Sequence, residues 1–176
     1  RVLATRPRCV LEIGCGTGLL LFRIAPHCGS YVGTDFSSSA LDHVQGQLGP
    51  AGLSNVELLL RAADDFSGLA DQAFDAVVLH SIVQYFPGTH YLLKVLEGAF
   101  GCTAPGGVVF LGDVRSLQLL EAFHTEVELG RAPAAMIVDD FRALVRRRLV
   151  QEKELVLDPA LFPALTRRFP RISHVR

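Results

Sequence analysis

The chain has 176 residues, a formal net charge of −1 and 49% hydrophobic residues. With a mean hydropathy of +0.32, that composition excludes disorder, and the length predicts one domain, 1–176, around a single sizeable core. The near-neutral charge gives no general nucleic-acid or membrane footprint, and no apolar run reaches the roughly 18 residues that a membrane span needs.

Cys9 to Ile13 reads as an apolar strand that runs into the loop Gly14-Cys-Gly-Thr-Gly18. An apolar helix, Leu19 to Ala25, leaves the loop, and a second strand, Tyr31 to Thr34, ends on Asp35 with Phe36 beside it. A strand, glycine loop, helix, strand and acid in that order bind a nucleoside-bearing cofactor at the carboxyl edge of a parallel sheet. The glycines let the backbone approach the ligand, and Asp35 can accept two hydrogen bonds from ribose hydroxyls. The other use of Asp35 is to cap the Ser-rich helix that follows, and the two roles cannot share the same oxygens. Gly14, Gly16 and Gly18 are spaced G-x-G-x-G, with Leu19 where the third glycine of a dinucleotide fingerprint would fall. The loop has no Lys or Arg, which excludes a P-loop. Glu12 precedes it by two residues, and Cys15 within it reads as a small residue tolerated against the ligand. A cofactor without a pyrophosphate fits.

Ser37 to Leu48 reads as a helix capped by Ser37 or Ser38 and stopped at Gly49-Pro50. Asn55 to Arg61 and Phe74 to Leu79 read as strands, the second ending on His80. Tyr91 to Cys102 carries apolar residues at helical spacing and stops before Pro105-Gly-Gly107. Val108 to Leu111 is a further strand, ending on Gly112-Asp113, and Leu117 to Leu129 is a helix. Five strands alternating with helices predict a doubly wound, mostly parallel α/β sheet with helices on both faces. Cys9, Cys15, Cys28 and Cys102 have neither C-x-x-C spacing nor a paired histidine, so no metal or redox dithiol is expected, and four unpaired thiols suit the cytoplasm. There is no secretory signal pattern. A chain that starts on Arg1, close to its first strand, and stops on Arg176 reads as a core fragment of something longer, its sheet cut at the C-terminal edge.

Glu12-x-Gly14-x-Gly16-x-Gly18 resembles the first motif of class I S-adenosylmethionine-dependent methyltransferases, Rossmann-like enzymes. Leu79-His-Ser-Ile-Val-Gln-Tyr-Phe-Pro87 resembles the segment after the fourth strand in methyltransferase domains embedded in nonribosomal peptide synthetases and polyketide synthases. Phe110 to Ser116, Leu119 to His124, Glu154 to Pro159 and Arg168 to Arg171 resemble the same family, so the likeness covers nearly the whole chain. It implies S-adenosylmethionine as cofactor, with Asp64, Asp65 and Phe66 offering an acid to the adenine amino group and an apolar side chain to its ring. Asp65 and Phe66 are preferred, and a solvated acidic turn is the plainer reading. It also implies two further strands in a hairpin beside the fifth, an acceptor tethered to a carrier protein, and neighbouring synthetase domains as partners.

His80 stands where the amino-acid N-methylating members of that family are expected to carry Asn. A neutral amine needs only orientation and a proton sink, whereas a hydroxyl needs a general base, and histidine is the usual one. His80, at a strand's carboxyl end, is therefore either that base, beside the cofactor, or a histidine bonded to backbone. This tips the acceptor from nitrogen toward oxygen. His124 shares a helix face with Leu120 and Val127 and points inward, as a satisfied core histidine or a lining of the acceptor pocket. Asp113 either orients a histidine or contacts the acceptor, and Tyr85 either donates to the acceptor or packs. Glu121, Glu126 and Glu128 read as solvated, with one available to pair with His124. Residues 130–156 read as an acceptor-side helical insertion. Its cluster Arg142, Arg146, Arg147 and Arg148 is either a solvated helix face or a docking surface for an acidic carrier. The rival functions are a stand-alone small-molecule methyltransferase, a nucleotide-dependent oxidoreductase, which the glycine spacing disfavours, and an inactive methyltransferase-like structural module.

Overall fold

Parallel strands put every carboxyl end on one edge, and here five of them do so in the order β3-β2-β1-β4-β5. They are β1 Cys9–Ile13, β2 Ser30–Asp35, β3 Val56–Leu60, β4 Phe74–His80 and β5 Thr103–Gly112. The computed structural model describes residues 1–69 and 73–176. The chain divides into two compact units, residues 1–83 with 87–113 and residues 84–86 with 114–176, where length alone predicts one core.

The first unit holds the sheet with α1 (Leu21–Ile24), α2 (Ser38–Leu48) and α3 (Thr89–Cys102). The chain order reverses between β1 and β4, so right-handed crossovers put α1 and α2 on one face and α3 on the other. Val10, Leu11, Ala76, Val77, Val78 and Leu79 are fully buried, as central parallel strands covered on both faces require. In α3 the buried residues Leu92, Val95, Leu96, Ala99 and Cys102 follow the helical period along one stripe.

Two elements depart from the sequence reading. The helix expected over Leu19 to Ala25 is one turn of α-helix followed by a 3-10 turn, Ala25–His27. Gly18 at φ +85° delays its start, and Pro26, with no N–H to donate, ends it. The last strand starts at Thr103, before Pro105-Gly-Gly107, because the register with β4 absorbs that segment as a bulge between Phe74 and Ala76. Gly106 takes φ +80°, which favours glycine.

The second unit is helical: α4 (Leu120–Leu129), α5 (Val138–Val150) and α6 (Leu161–Arg168). Of the hairpin implied by the resemblance, at most the beginning is expected within these residues, and no strand follows β5 among those described. Glu154 to Pro159 makes one isolated bridge, Leu157 to Ser116, and then Pro159 leads into α6. Among the described residues, no helix is long and apolar enough to cross a membrane.

Between the central strands lies a buried polar pair. The Tyr31 hydroxyl donates to the Glu12 carboxylate at 2.6 Å, tying β2 to β1, and Glu12 is 3% exposed. Burial pushes the Glu12 carboxyl up, the Tyr31 bond opposes it, the Asp35 charge adds to it, and the pKa rises to about 7 from an ordinary 4.5. The folded state thus holds this proton more tightly than the unfolded chain. The resulting stability is complete below pH 4.5 and lost as pH rises to about 7. The stability difference between the native chain and Glu12→Gln is expected to fall over that window by on the order of 3 kcal/mol in denaturant titrations, then stay flat.

Candidate functional site

The carboxyl edge of the first unit is organised by the loop after β1. Gly14, Gly16 and Gly18 take φ of +74°, +52° and +85°, a left-handed backbone that side-chain-bearing residues adopt at a cost. The Gly14 and Cys15 amides both donate to the Thr34 carbonyl, at 2.8 and 2.9 Å, which fastens the loop to β2. A Cβ on Gly14 would lie 2.5 Å from Ile82 Cγ2, so the loop also rests on the segment after β4. At Gly16 a Cβ would meet nothing within 4 Å, so this part of the loop faces open space.

Asp35, at the end of β2, accepts from the Gly16 amide through Oδ2 at 2.8 Å and from the Ser37 amide through Oδ1 at 2.9 Å. The helix cap belongs instead to Ser37, whose Oγ accepts from the Ala40 amide. A carboxylate has about four acceptor positions, so two remain open on Asp35. Phe36 is 82% exposed beside it, an open aromatic face at the same edge. Cys15 is turned inward: its Sγ would lie 3.3 Å from a Cβ on Gly33, and it is buried. Burial, then the Glu12 and Asp35 charges, push its thiol up to about 12, so it stays protonated and meets a ligand only through its backbone. Glu12 lies beneath the loop, committed to Tyr31.

The acidic turn after β3 separates into two roles. Asp64 accepts from Lys94 Nζ at 2.6 Å and from the Tyr91 hydroxyl at 2.8 Å, with both of its oxygens used by α3. Those two bonds hold its carboxyl below the usual range. Asp65 is exposed and accepts from the Ser67 amide through Oδ1 at 3.0 Å. Hydrogen bonds from the Ser67 amide and hydroxyl lower its pKa. Arg61 braces the turn by donating to the Ser67 carbonyl at 2.8 Å. Phe66 packs on α3, where a Cβ on Gly98 would lie 2.2 Å from its ring.

At the ends of β4 and β5 the structure brings together His80, Ser81 and Asp113. His80 Nδ1 lies 2.8 Å from Ser81 Oγ, which donates to Asp113 Oδ2 at 2.7 Å. His80 pairs in register with Gly112, where a Cβ would lie 2.6 Å from the imidazole Cδ2. Ser81 is the residue that sequence reasoning passed over. Its signal was its place between His80 and the strand-end motif.

Tyr85 and His124 belong to the second unit. Tyr85 is 72% exposed on a 3-10 turn. His124 is satisfied: its Nε2 is 3.1 Å from Glu152 Oε2, which also accepts from Arg115. It also lines an open cavity of about 640 Å³ with Arg148 and Lys153. Burial raises the Glu152 pKa, but the Glu154 and Lys153 amides, Arg115 and His124 outweigh it and hold the carboxyl below its ordinary range. The expected partner among Glu121, Glu126 and Glu128 is thus replaced by Glu152. Glu128, read as solvated, is buried and accepts from Arg148 at 2.9 Å. Gln84 is also buried, with its Oε1 unpaired, while its carbonyl accepts from the Leu155 amide.

The edge fits a nucleoside-bearing sulfonium: a glycine backbone open at Gly16, a carboxylate, an open aromatic face and no cationic side chain in the loop. Residues 11–109 match the model of a methyltransferase domain family. The chain is similar over 99% of its length, at 50% identity, to chondramide synthase cmdD of Chondromyces crocatus. It is 40% identical over 96% of its length to the probable nonribosomal peptide synthetase CymA of Salinispora arenicola. It spans about 4% and 2% of the length of those two proteins. Its fold is similar to the N-methyltransferase NodS of Bradyrhizobium japonicum solved with S-adenosyl-L-homocysteine, at a TM-score of 0.60 and 22% identity, over 66% of this chain and 58% of that one. The chain belongs to the family of Rossmann-like, S-adenosylmethionine-dependent methyltransferase domains, of the kind found within nonribosomal peptide synthetases.

Proposed function

We propose that the chain transfers a methyl group to an oxygen, or to a nitrogen, of an intermediate held as a thioester on a carrier protein. What carries the reading is the packing of Gly14 against Ile82, which seats the glycine loop on the segment holding His80 and Ser81. Cofactor and proton acceptor are then neighbours within one unit. S-adenosylmethionine, when bound, supplies an activated methyl on a positively charged sulfur. Asp35 accepts from the ribose hydroxyls, Asp65 from the adenine amino group, and Phe36 or Phe66 covers the ring. The Gly14–Gly18 backbone runs along the methionine part, with Glu12 and Cys15 supporting the loop from below.

His80 takes the acceptor's proton as the carbon–oxygen or carbon–nitrogen bond forms. An alcohol keeps its proton at neutral pH, so a placed base favours oxygen. The nitrogen reading has its own support: Asp113 reaches His80 only through a hydroxyl, a weaker coupling that suffices for an amine. Within the second unit, Tyr85 is open to solvent and His124 lies at its own cavity. Arg142, Arg146 and Arg147, exposed along α5, make a surface for an acidic carrier, whose attraction would weaken with salt. The four free thiols fit a reducing cytoplasm. The glycine spacing and Asp35 argue against an inactive module.

Calorimetric titration with S-adenosylhomocysteine is expected to show binding that Asp35→Ala weakens about 100-fold, two charge-assisted hydrogen bonds being lost. No binding by the folded native chain would sink the enzyme reading. With 2-hydroxyacyl and 2-aminoacyl N-acetylcysteamine thioesters as acceptors, His80→Asn is expected to lower the rate on the hydroxyl about 100-fold and on the amine far less. An unchanged hydroxyl rate would leave nitrogen as the acceptor.

A further inference from the structure

Ser81 and Asp113 take φ of +57° and +56°, and Arg6 is the one other described residue besides glycine with positive φ. Left-handed backbone favours glycine, so Ser81 holds backbone strain that glycine would relieve, while aspartate tolerates the region better. Their side chains meet: the Ser81 hydroxyl is 2.7 Å from Asp113 Oδ2 and 2.8 Å from His80 Nδ1. The Ser81 amide also donates to the Gly112 carbonyl at 3.1 Å, which keeps the two strand ends in register.

The hydrogen positions follow from counting protons. A carboxylate has none to give, so the single Ser81 proton goes to Asp113. The Ser81 oxygen is then an acceptor toward His80, and Nδ1 must carry the imidazole proton. Nε2 keeps its lone pair. We propose that Ser81 is a positioning residue that, backed by Asp113, locks His80 in the Nδ1–H tautomer and so leaves Nε2 as the site that accepts the acceptor's proton. This rests on the reading of His80 as the base. As the sulfur–methyl bond breaks and the methyl–acceptor bond forms, the acceptor's proton passes to Nε2. The Nδ1 proton stays on the ring, donated to the Ser81 oxygen, and the positive charge gained by the ring is answered by Asp113 through one hydroxyl. From β1, the nearest strand on the other side, Glu12 pairs in register with Val78 and is committed to Tyr31. Gly112 leaves the space the ring occupies.

The strain gives the test its edge. Ser81→Gly removes the hydroxyl while relieving the backbone, so a merely structural serine and a positioning serine have opposite signatures. In the 176-residue chain with ¹⁵N-labelled histidine, long-range proton–nitrogen NMR spectra are expected to show His80 protonated on Nδ1, and Ser81→Gly to give a mixture of tautomers. Ser81→Gly is expected to melt at or above the native temperature, bind S-adenosylhomocysteine within about twofold, and lose roughly tenfold or more in kcat on the 2-hydroxyacyl thioester. Asp113→Asn, tolerated at positive φ, is expected to shift the tautomer in the same direction. A native spectrum with the proton on Nε2, or a Ser81→Gly spectrum identical to the native one, overturns the proposal. Full activity of His80→Asn beside the expected spectra overturns it differently, by removing the base reading on which it rests, and the spectra tell the two failures apart.

Discussion

The hydrogen bond from the Gly16 amide to Asp35, 2.8 Å long, joins the loop after β1 to the end of β2. It forms only if the chain turns left-handed at Gly14 and again at Gly16, since a right-handed turn would aim that amide elsewhere. It also answers the Asp35 carboxylate, which is 8% exposed and would otherwise be buried without enough partners. The loop is therefore shaped before anything binds, so little ordering cost falls on association. Because the Asp35 oxygens keep two acceptor positions, ribose hydroxyls bound as proposed would add to this arrangement rather than compete with it.

The two histidines at the heart of the account show how environment divides one residue type between roles. His124 has its Nε2 on a carboxylate that Arg115 also holds, and Arg115 in turn sits 4.2 Å above the Phe123 ring. That network fixes α4 to the segment around Glu152. His80 meets its carboxylate at one remove, through a serine, with one nitrogen outside the chain of bonds. A ring with a spare nitrogen can do chemistry. A similar division separates the neighbouring acids, Asp64 bound on both oxygens by α3 and Asp65 held by Ser67 of its own turn.

Much of the first unit was legible in the sequence because its elements obey local rules. Apolar runs ending on a glycine, an acid and a histidine gave β1, β2 and β4, and the stripe from Leu92 to Cys102 gave α3. The family and cofactor followed from the glycine spacing and the Val83-Gln-Tyr-Phe-Pro87 segment. The rest depended on distance along the chain. Nothing near Glu128 announces Arg148, and nothing near His124 announces Glu152, since those partners are 20 and 28 residues away. The bulge at Pro105–Gly107 needed the register with β4 to be visible. Ser81 was hidden differently: its importance lies in a backbone angle and in a partner 32 residues away, neither of which composition or periodicity reports.

The most direct test of the account is to follow backbone amide signals of the chain while S-adenosylhomocysteine is added. The account predicts saturable shifts at Gly14, Gly16 and Gly18, with Phe36 and Asp65 moving along the same binding curve. Saturable binding that leaves the Gly14–Gly18 amides unmoved would contradict it, because the ligand would then lie away from the edge on which every assigned role depends.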